Sequence, residues 1–239
     1  MNNGQKSAHD QAVQGMFGGI ARFYDLLNHV LSFGVDYYWR WELAKSIPPN
    51  SKIVLDLAAG TLDVSLAIRR KYPWMIVPAL DFCHPMLKLG LKKLHGQNQN
   101  FILPTTADAK QLPLRDNSVD CLTIAFGIRN IVPRADSFRE MLRVLKPGGK
   151  ACILEFGSGQ ERIWLGLYNF YLNHILPIIG KFLAKDKAAY TYLANTITAF
   201  PPAQKFEAEM QAAGFVHTSY RKLTSGIACL HTGEKPQSS

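Results

Sequence analysis

Along the chain, short apolar runs of strand length alternate with stretches whose apolar residues recur at helical spacing. Residues 52–57 form the first run and end in Asp56-Leu57, and 61–71 read as the helix that follows. Residues 75–80 make a second strand closed by Asp81, and 84–95 a helix with Met86, Leu87, Leu91 and Leu94 near one face. A short third strand falls at 101–103, a fourth at 120–126, a helix at 133–145 and a fifth strand at 150–156. Pro147-Gly148-Gly149 is expected to terminate that helix. Strands alternating with helices predict a parallel sheet with helices on both faces. Near the end, 203–213 reads as a helix closed by Gly214, and 216–222 and 226–231 as two strands turning through Leu223-Thr224-Ser225. The last seven residues are polar and are expected to fray.

Two regions stand outside this alternation. Residues 10–47 precede the first strand, look helical and are expected to form an N-terminal lid. Residues 163–180 carry no charged side chain and belong to a helical insertion expected over 160–200. The whole chain, 1–239, reads as one domain, because its length suits one α/β unit with a decoration and is short for two.

In doubly wound sheets, ligands bind beyond the carboxyl ends of strands, where the strand order reverses. The residues just after each strand are therefore the candidates for chemistry. After the first strand stand Asp56, Gly60, Thr61 and Asp63; after the second, Asp81; after the third, Asp108-Ala109; after the fourth, Phe126-Gly127-Ile128-Arg129-Asn130. A turn of small residues lets the backbone approach a ligand. An acid at the end of the next strand can accept hydrogen bonds from two ribose hydroxyls, and one after the third strand can accept from an adenine amino group. Any one of these acids is as well explained as a helix N-cap; several at successive strand ends are not. A nicotinamide cofactor would want G-x-G-x-x-G in the first turn, where Gly60 is the only glycine. A P-loop is absent too.

Composition adds three limits. Cys83, Cys121, Cys152 and Cys229 are far apart with no C-x-x-C pair, so neither a zinc site nor a disulfide framework is expected. Residues 1–14 are polar and lack the apolar run of a signal peptide, which places the chain in the reducing cytoplasm. The formal net charge of +9 suggests an anionic partner, nucleic acid or a membrane face. The basic residues are scattered and no RNA-binding motif is evident, so no nucleic acid is expected.

An α/β core that ends in a hairpin is the pattern of class I methyltransferases, with a Rossmann-like, mostly parallel seven-stranded sheet. The chain further resembles the ubiquinone/menaquinone biosynthesis C-methyltransferases over nearly its whole length. Met16-Phe17, the segment Ile20-Ala21-Arg22-Phe23-Tyr24-Asp25-Leu26-Leu27-Asn28, Leu31-Ser32-Phe33-Gly34 and Trp39-Arg40 carry the resemblance at the N-terminus. Phe126-Gly127-Ile128-Arg129-Asn130 is its most specific signature, joined by Leu145-Lys146-Pro147-Gly148-Gly149, Glu155-Phe156, Tyr192-Leu193 and Thr224-Ser225-Gly226-Ile227-Ala228. It implies S-adenosylmethionine as cofactor, held by Thr61, Asp81, Asp108 and Ala109 together with Asp56 and Gly60 of the first turn. It implies no metal, and a prenylated quinol as acceptor, with demethylmenaquinol ahead of a polyprenyl methoxybenzoquinol; a class I methyltransferase acting on another lipid or small molecule is the alternative that the Gly127–Asn130 signature speaks against. The family normally has glycine where this chain has Ala59 and Leu62, and aspartate where it has Gly18. Leu62 is thus expected beside the methionine end of the cofactor, where its bulk would narrow the pocket.

A quinone carbon is electron-poor, so methylation there calls for the reduced quinol, with its phenolic proton removed or its oxyanion stabilised. Arg129 stays protonated and is expected to orient a water and stabilise that oxyanion; the plain alternative is a structural salt bridge. Asn130 is expected to hold a quinol oxygen and Tyr24 to lie over the cofactor. A prenylated acceptor resides in lipid. Residues 163–180 contain Trp164, Tyr168 and Tyr171 and are followed by Lys181, Lys185 and Lys187, so they read as an amphipathic lid that docks on an anionic membrane surface. A helix buried on the core or in a homodimer interface is the alternative.

Overall fold

The computed structural model of the chain describes Val13, Gly15, Gly18, His29, Ser32, residues 34–96 and 98–157, Tyr192 and residues 195–237. Of the lid expected over 10–47, the part before residue 34 is therefore mostly outside the described residues, and Tyr24 and the whole of 163–187 lie outside them too.

The apolar runs become the strands β1 (Val54–Leu57), β2 (Val77–Asp81), β3 (Ile102–Thr106), β4 (Val119–Ala125) and β5 (Leu145–Phe156), with β6 (Val216–Leu223) and β7 (Ala228–Glu234) after them. They form one seven-stranded sheet in the order β3-β2-β1-β4-β5-β7-β6. The first five are parallel, while β7 runs antiparallel to both β5 and β6. The helices are α1 (Val35–Lys45), α2 (Asp63–Lys71), α3 (His84–Leu91), α4 (Asn98–Phe101), α5 (Arg134–Val144) and α6 (Ala203–Ala213).

Successive strand residues point to opposite faces, so β1 feeds two cores. Val54 packs with Leu43, Ile47, Ile68 and Met75 on the α1–α2 side. Leu55 and Leu57 pack with Phe138, Met141, Phe206 and Met210 on the α5–α6 side. The sheet order reverses between β1 and β4. There Leu57 stands level with Leu80 of β2 and Ile124 of β4, so the three carboxyl ends open at one height.

Some boundaries differ from expectation for identifiable reasons. Pro147-Gly148-Gly149 lie inside β5, not in a linker. The strand starts at Leu145 opposite Val119, and the pairing slips between Val119 and Cys121 to take up the irregular residues. The C-terminus is tied down rather than frayed as far as residue 235: Glu234 pairs with Lys150, and Lys235 exchanges backbone hydrogen bonds with Gly148 and Gly149 at 3.0 and 2.9 Å. Its Nζ also donates to the Leu145 carbonyl at 2.9 Å. The hairpin turns through a short 3₁₀ segment at Thr224–Gly226, and α3 stops at Leu91.

Candidate active site

The turn after β1 winds tightly. Ala58, Gly60 and Leu62 have φ of 53°, 53° and 70°, and Phe126, at the end of β4, has φ of 55°. Left-handed backbone at non-glycine residues costs energy and persists where surrounding structure over-determines it. Asp56 supplies part of that constraint. Fully buried, it accepts from the Ser65 hydroxyl of α2 at 2.6 Å and from the Thr123 hydroxyl of β4 at 3.2 Å. Burial raises its carboxyl to a pKa of about 7 against those hydrogen bonds. Gly127 completes the close approach: a Cβ there would lie 2.5 Å from the Ala58 Cβ, so the turns after β1 and β4 meet only over glycine.

Between these turns lies a cavity whose walls include Ala58 and Gly60 after β1, Asp81 and Cys83 at β2, Asp108 and Ala109 after β3, and Gly127 and Asn130 after β4. Asp81 is oriented by backbone: Oδ2 accepts from Gly60 N at 2.8 Å and Oδ1 from Cys83 N at 2.7 Å. Burial raises its pKa, and the N–H groups of Cys83, Gly60 and Phe82 pull it back down. Asp108 Oδ1 accepts from Lys110 N at 2.8 Å, which shapes the turn after β3 and leaves its other oxygen 4.0 Å from Lys110 Nζ.

The turn after β4 is a 3₁₀ segment, Ile128–Asn130. Asn130 lines the cavity and accepts from the Tyr192 hydroxyl at 3.3 Å. Arg129 points into the protein. Its Nη1 donates to Glu155 Oε1 at 2.8 Å and to the Phe126 carbonyl, and its guanidinium lies 5.4 Å from the Phe156 ring centre. Glu155, fully buried, also accepts from Arg129 N at 3.3 Å and Phe156 N at 2.9 Å. Arg129 Nε is buried without a hydrogen-bond partner. The charge of Arg129 reaches Tyr192, whose hydroxyl pKa is raised by burial and lowered by that guanidinium.

Of the residues singled out from sequence, Gly60, Asp81, Asp108, Ala109 and Asn130 meet at this cavity. Asp56, Thr61 and Arg129 are all buried, and none of the three lines it. Tyr24 lies outside the described residues. Leu62 does not narrow the cavity. It is fully buried on the other side of the turn, where its Cγ would stand 2.5 Å from a Cβ on Gly90 of α3. Sequence reasoning passed over Phe82, Cys83, Met86 and Lys110, which also line the cavity. The strand-end rule would have reached them if carried one to five residues past each acid. Among the described residues no group of acidic, cysteine or histidine side chains is arranged to hold a metal.

The sheet order, the antiparallel C-terminal pair and a cavity at the reversal define a class I S-adenosylmethionine-dependent methyltransferase fold. A solved SAM-dependent methyltransferase from Thermotoga maritima shares it, with a TM-score of 0.62 at 15% identity, covering 92% of this chain and 99% of that one. Residues 5–235 match the ubiE/COQ5 methyltransferase family, and the chain belongs to it. The ubiquinone/menaquinone biosynthesis C-methyltransferase UbiE of Geotalea daltonii is 42% identical, covering 94% of this chain and 97% of its own length. The demethylmenaquinone methyltransferase of Deinococcus radiodurans is 40% identical, covering 97% and 96%.

Proposed function

We propose that this chain transfers a methyl group from S-adenosylmethionine to a ring carbon of a reduced prenylated quinone, with demethylmenaquinol as the acceptor. The observation that carries the proposal is the convergence of Gly60, Asp81, Asp108 and Asn130 on one cavity at the reversal of strand order. The names of the relatives supply the acceptor class.

The cavity fits the cofactor. Gly60 leaves backbone bare at the cavity wall, and the Asp81 carboxylate is held rigidly by two backbone N–H groups with lone pairs to spare for ribose hydroxyls. Asp108 and Ala109 suit the adenine end. When bound, S-adenosylmethionine supplies a methyl group already activated on a sulfonium. The protein then has to position the acceptor and raise electron density on its ring carbon. Asn130 holds a quinol oxygen at the cavity wall. Arg129, directly behind it, places a fixed positive charge in a buried site where charge on that oxygen develops. Arg129 also locks the turn through Glu155 and Phe126, so it positions Asn130 as well.

Access to the acceptor is from the membrane. No helix among the described residues is long and apolar enough to cross one. The uncharged stretch 163–180, with Lys181, Lys185 and Lys187 after it, is the segment proposed to cover the quinol and touch the cytoplasmic leaflet. The acceptor is tested by anaerobic incubation with labelled cofactor and two reduced acceptors, a demethylnaphthoquinol and a polyprenyl methoxybenzoquinol. Label is expected in the naphthoquinol at the higher rate. Transfer to the benzoquinol alone would reassign the acceptor, and transfer to neither would remove the proposal.

A further inference from the structure

Away from the cavity, the outer side of α1 and the turn after α2 expose aromatic rings that Lys71 and the buried Tyr72 link into a row. Tyr38 and Trp41 are each 46% exposed and Trp74 is 56% exposed. The Tyr38 and Trp41 rings lie 6.3 Å apart. Lys45 Nζ stands 4.8 Å and Lys71 Nζ 6.0 Å from the Trp41 ring centre. Lys71 also lies 5.3 Å from the Tyr72 ring, which meets Trp74 edge-on at 5.6 Å. Exposed large apolar residues normally occur singly; here they form one chain of contacts, capped by cations. Arg221 adds a third positive group at Glu42, the acid that also faces Lys45 at 3.8 Å, so positive charge exceeds negative. On its inner side the same helix packs Trp39 against Phe126, a cavity-lining residue, at 5.9 Å between ring centres. The row is thus one helix away from the site.

We propose that this face docks on the surface of an anionic lipid bilayer. Tryptophan and tyrosine favour the membrane–water interface, where the ring is partly desolvated and its polar edge stays wet. Lysines over those rings keep their charges among anionic head groups. A protein interface fits the row less well, because Lys45 and Lys71 would have to be desolvated, and lysine is depleted in such interfaces. A second copy fits worst: a two-fold contact would press the same lysines against each other on molecules of net charge +9. The choice of a membrane rests on the prenylated-quinol reading, which requires the enzyme to reach a substrate dissolved in lipid. The rings and both lysines of the face belong to α1, α2 and the turn after them, so the face shares no residue with the stretch 163–187.

The test is sedimentation of the full chain with vesicles of phosphatidylcholine alone or mixed with phosphatidylglycerol, all free of quinol. The wild-type chain is expected to sediment with the anionic vesicles and stay in solution with the neutral ones. Lys45→Glu with Lys71→Glu, and separately Trp41→Ser with Trp74→Ser, should each weaken binding about tenfold or more. Circular dichroism checks both pairs; if the tryptophan pair unfolds, the lysine pair, whose charges lie outside the core, decides. Variants that bind as tightly as wild type, or a wild-type chain that ignores anionic vesicles, overturn the proposal. So does a dimer in sedimentation velocity that the tryptophan pair dissociates. Methyl transfer to a tail-less quinol in solution is measured alongside and should be unchanged in both variant pairs. If that transfer is absent from wild type while vesicle binding still depends on the row, the quinol reading fails and the docking surface stands.

Discussion

At the scale of single residues, part of the cavity lining was legible in the acids and small residues that follow strands. Asp81 and Asp108 were visible for that reason, and so was Gly60 as the bare point of the first turn. Asp56 is the next-to-last residue of its strand and stands level with Ala79, two residues short of Asp81, and it binds Ser65 and Thr123 instead of lining the cavity; the direction of a strand-end side chain is set by the pleat and the turn, not by its type. Replacing Asp81 by Ala should lower S-adenosylmethionine affinity at least about tenfold, because hydrogen bonds to a charged acceptor are lost. Calorimetry checks this, with thermal melting beside it, since Asp81 also caps Gly60 N and Cys83 N. Unchanged affinity would remove Asp81 from the site. For Arg129 the ion-pair alternative is real, and it changes the expected variant. Arg129→Ala strands a buried Glu155 carboxylate and should destabilise the fold by about 3–5 kcal/mol. Arg129→Lys keeps the charge but not the planar fork, so it should stay folded with a much lower kcat and near-normal cofactor affinity. Full turnover in the folded Lys variant would leave Arg129 a purely structural role.

Two buried titrating residues set opposite pH trends. Burial lowers His231 to a pKa of about 4, so the fold prefers it neutral while the unfolded chain takes up its proton near 6.5. Its contribution to stability is present above pH 6.5 and is lost as pH falls toward 4, by up to about 3 kcal/mol. Asp56, raised to about 7 from 3.8, contributes below 3.8 and loses that contribution as pH rises through 7. Relative to wild type, His231→Phe should therefore melt more favourably at pH 5 than at pH 8, and Asp56→Asn more favourably at pH 8 than at pH 5. Differences independent of pH would contradict both assignments.

At the scale of elements, periodicity located every strand of the sheet, and its errors have identifiable causes. Pro147-Gly148-Gly149 carries the marks of a break, but β7 and Lys235 supply partners across it, so the chain continues as strand. Long-range pairing of this kind leaves no trace in a local window. Leu62 is the other instance. Its bulk suggested a crowded cofactor pocket; instead α3 offers it room at Gly90. The two residues are a coupled pair. Gly90→Ala should cost about 1–3 kcal/mol through overpacking on Leu62. Leu62→Gly relieves the left-handed backbone but removes a buried side chain, a loss of about 2 kcal/mol or more, while cofactor affinity stays close to wild type. The double variant should lose less than the sum of the two, as chemical denaturation will show. Additive losses would mean that Leu62 does not occupy the space over Gly90.

At the scale of the whole molecule, the sheet order brings together residues far apart in sequence, and the cavity between β1, β2 and β4 exists only because of that order. Alternating strands and helices implied such a cavity. The acceptor was not legible in composition: the net charge pointed only to something anionic, and it took the turn from Phe126 to Asn130 and its family resemblance to name a quinol. The central claim is that methyl transfer here needs the reduced ring, because only a quinol with an ionising hydroxyl makes the neighbouring carbon nucleophilic. It is tested most directly by incubating the chain with methyl-labelled S-adenosylmethionine and demethylmenaquinone, with and without a reductant, and locating the label by mass spectrometry. Label on the ring carbon in the reduced sample alone is the predicted result; equal labelling of the oxidised quinone, or none in either sample from a chain that binds the cofactor, would contradict it.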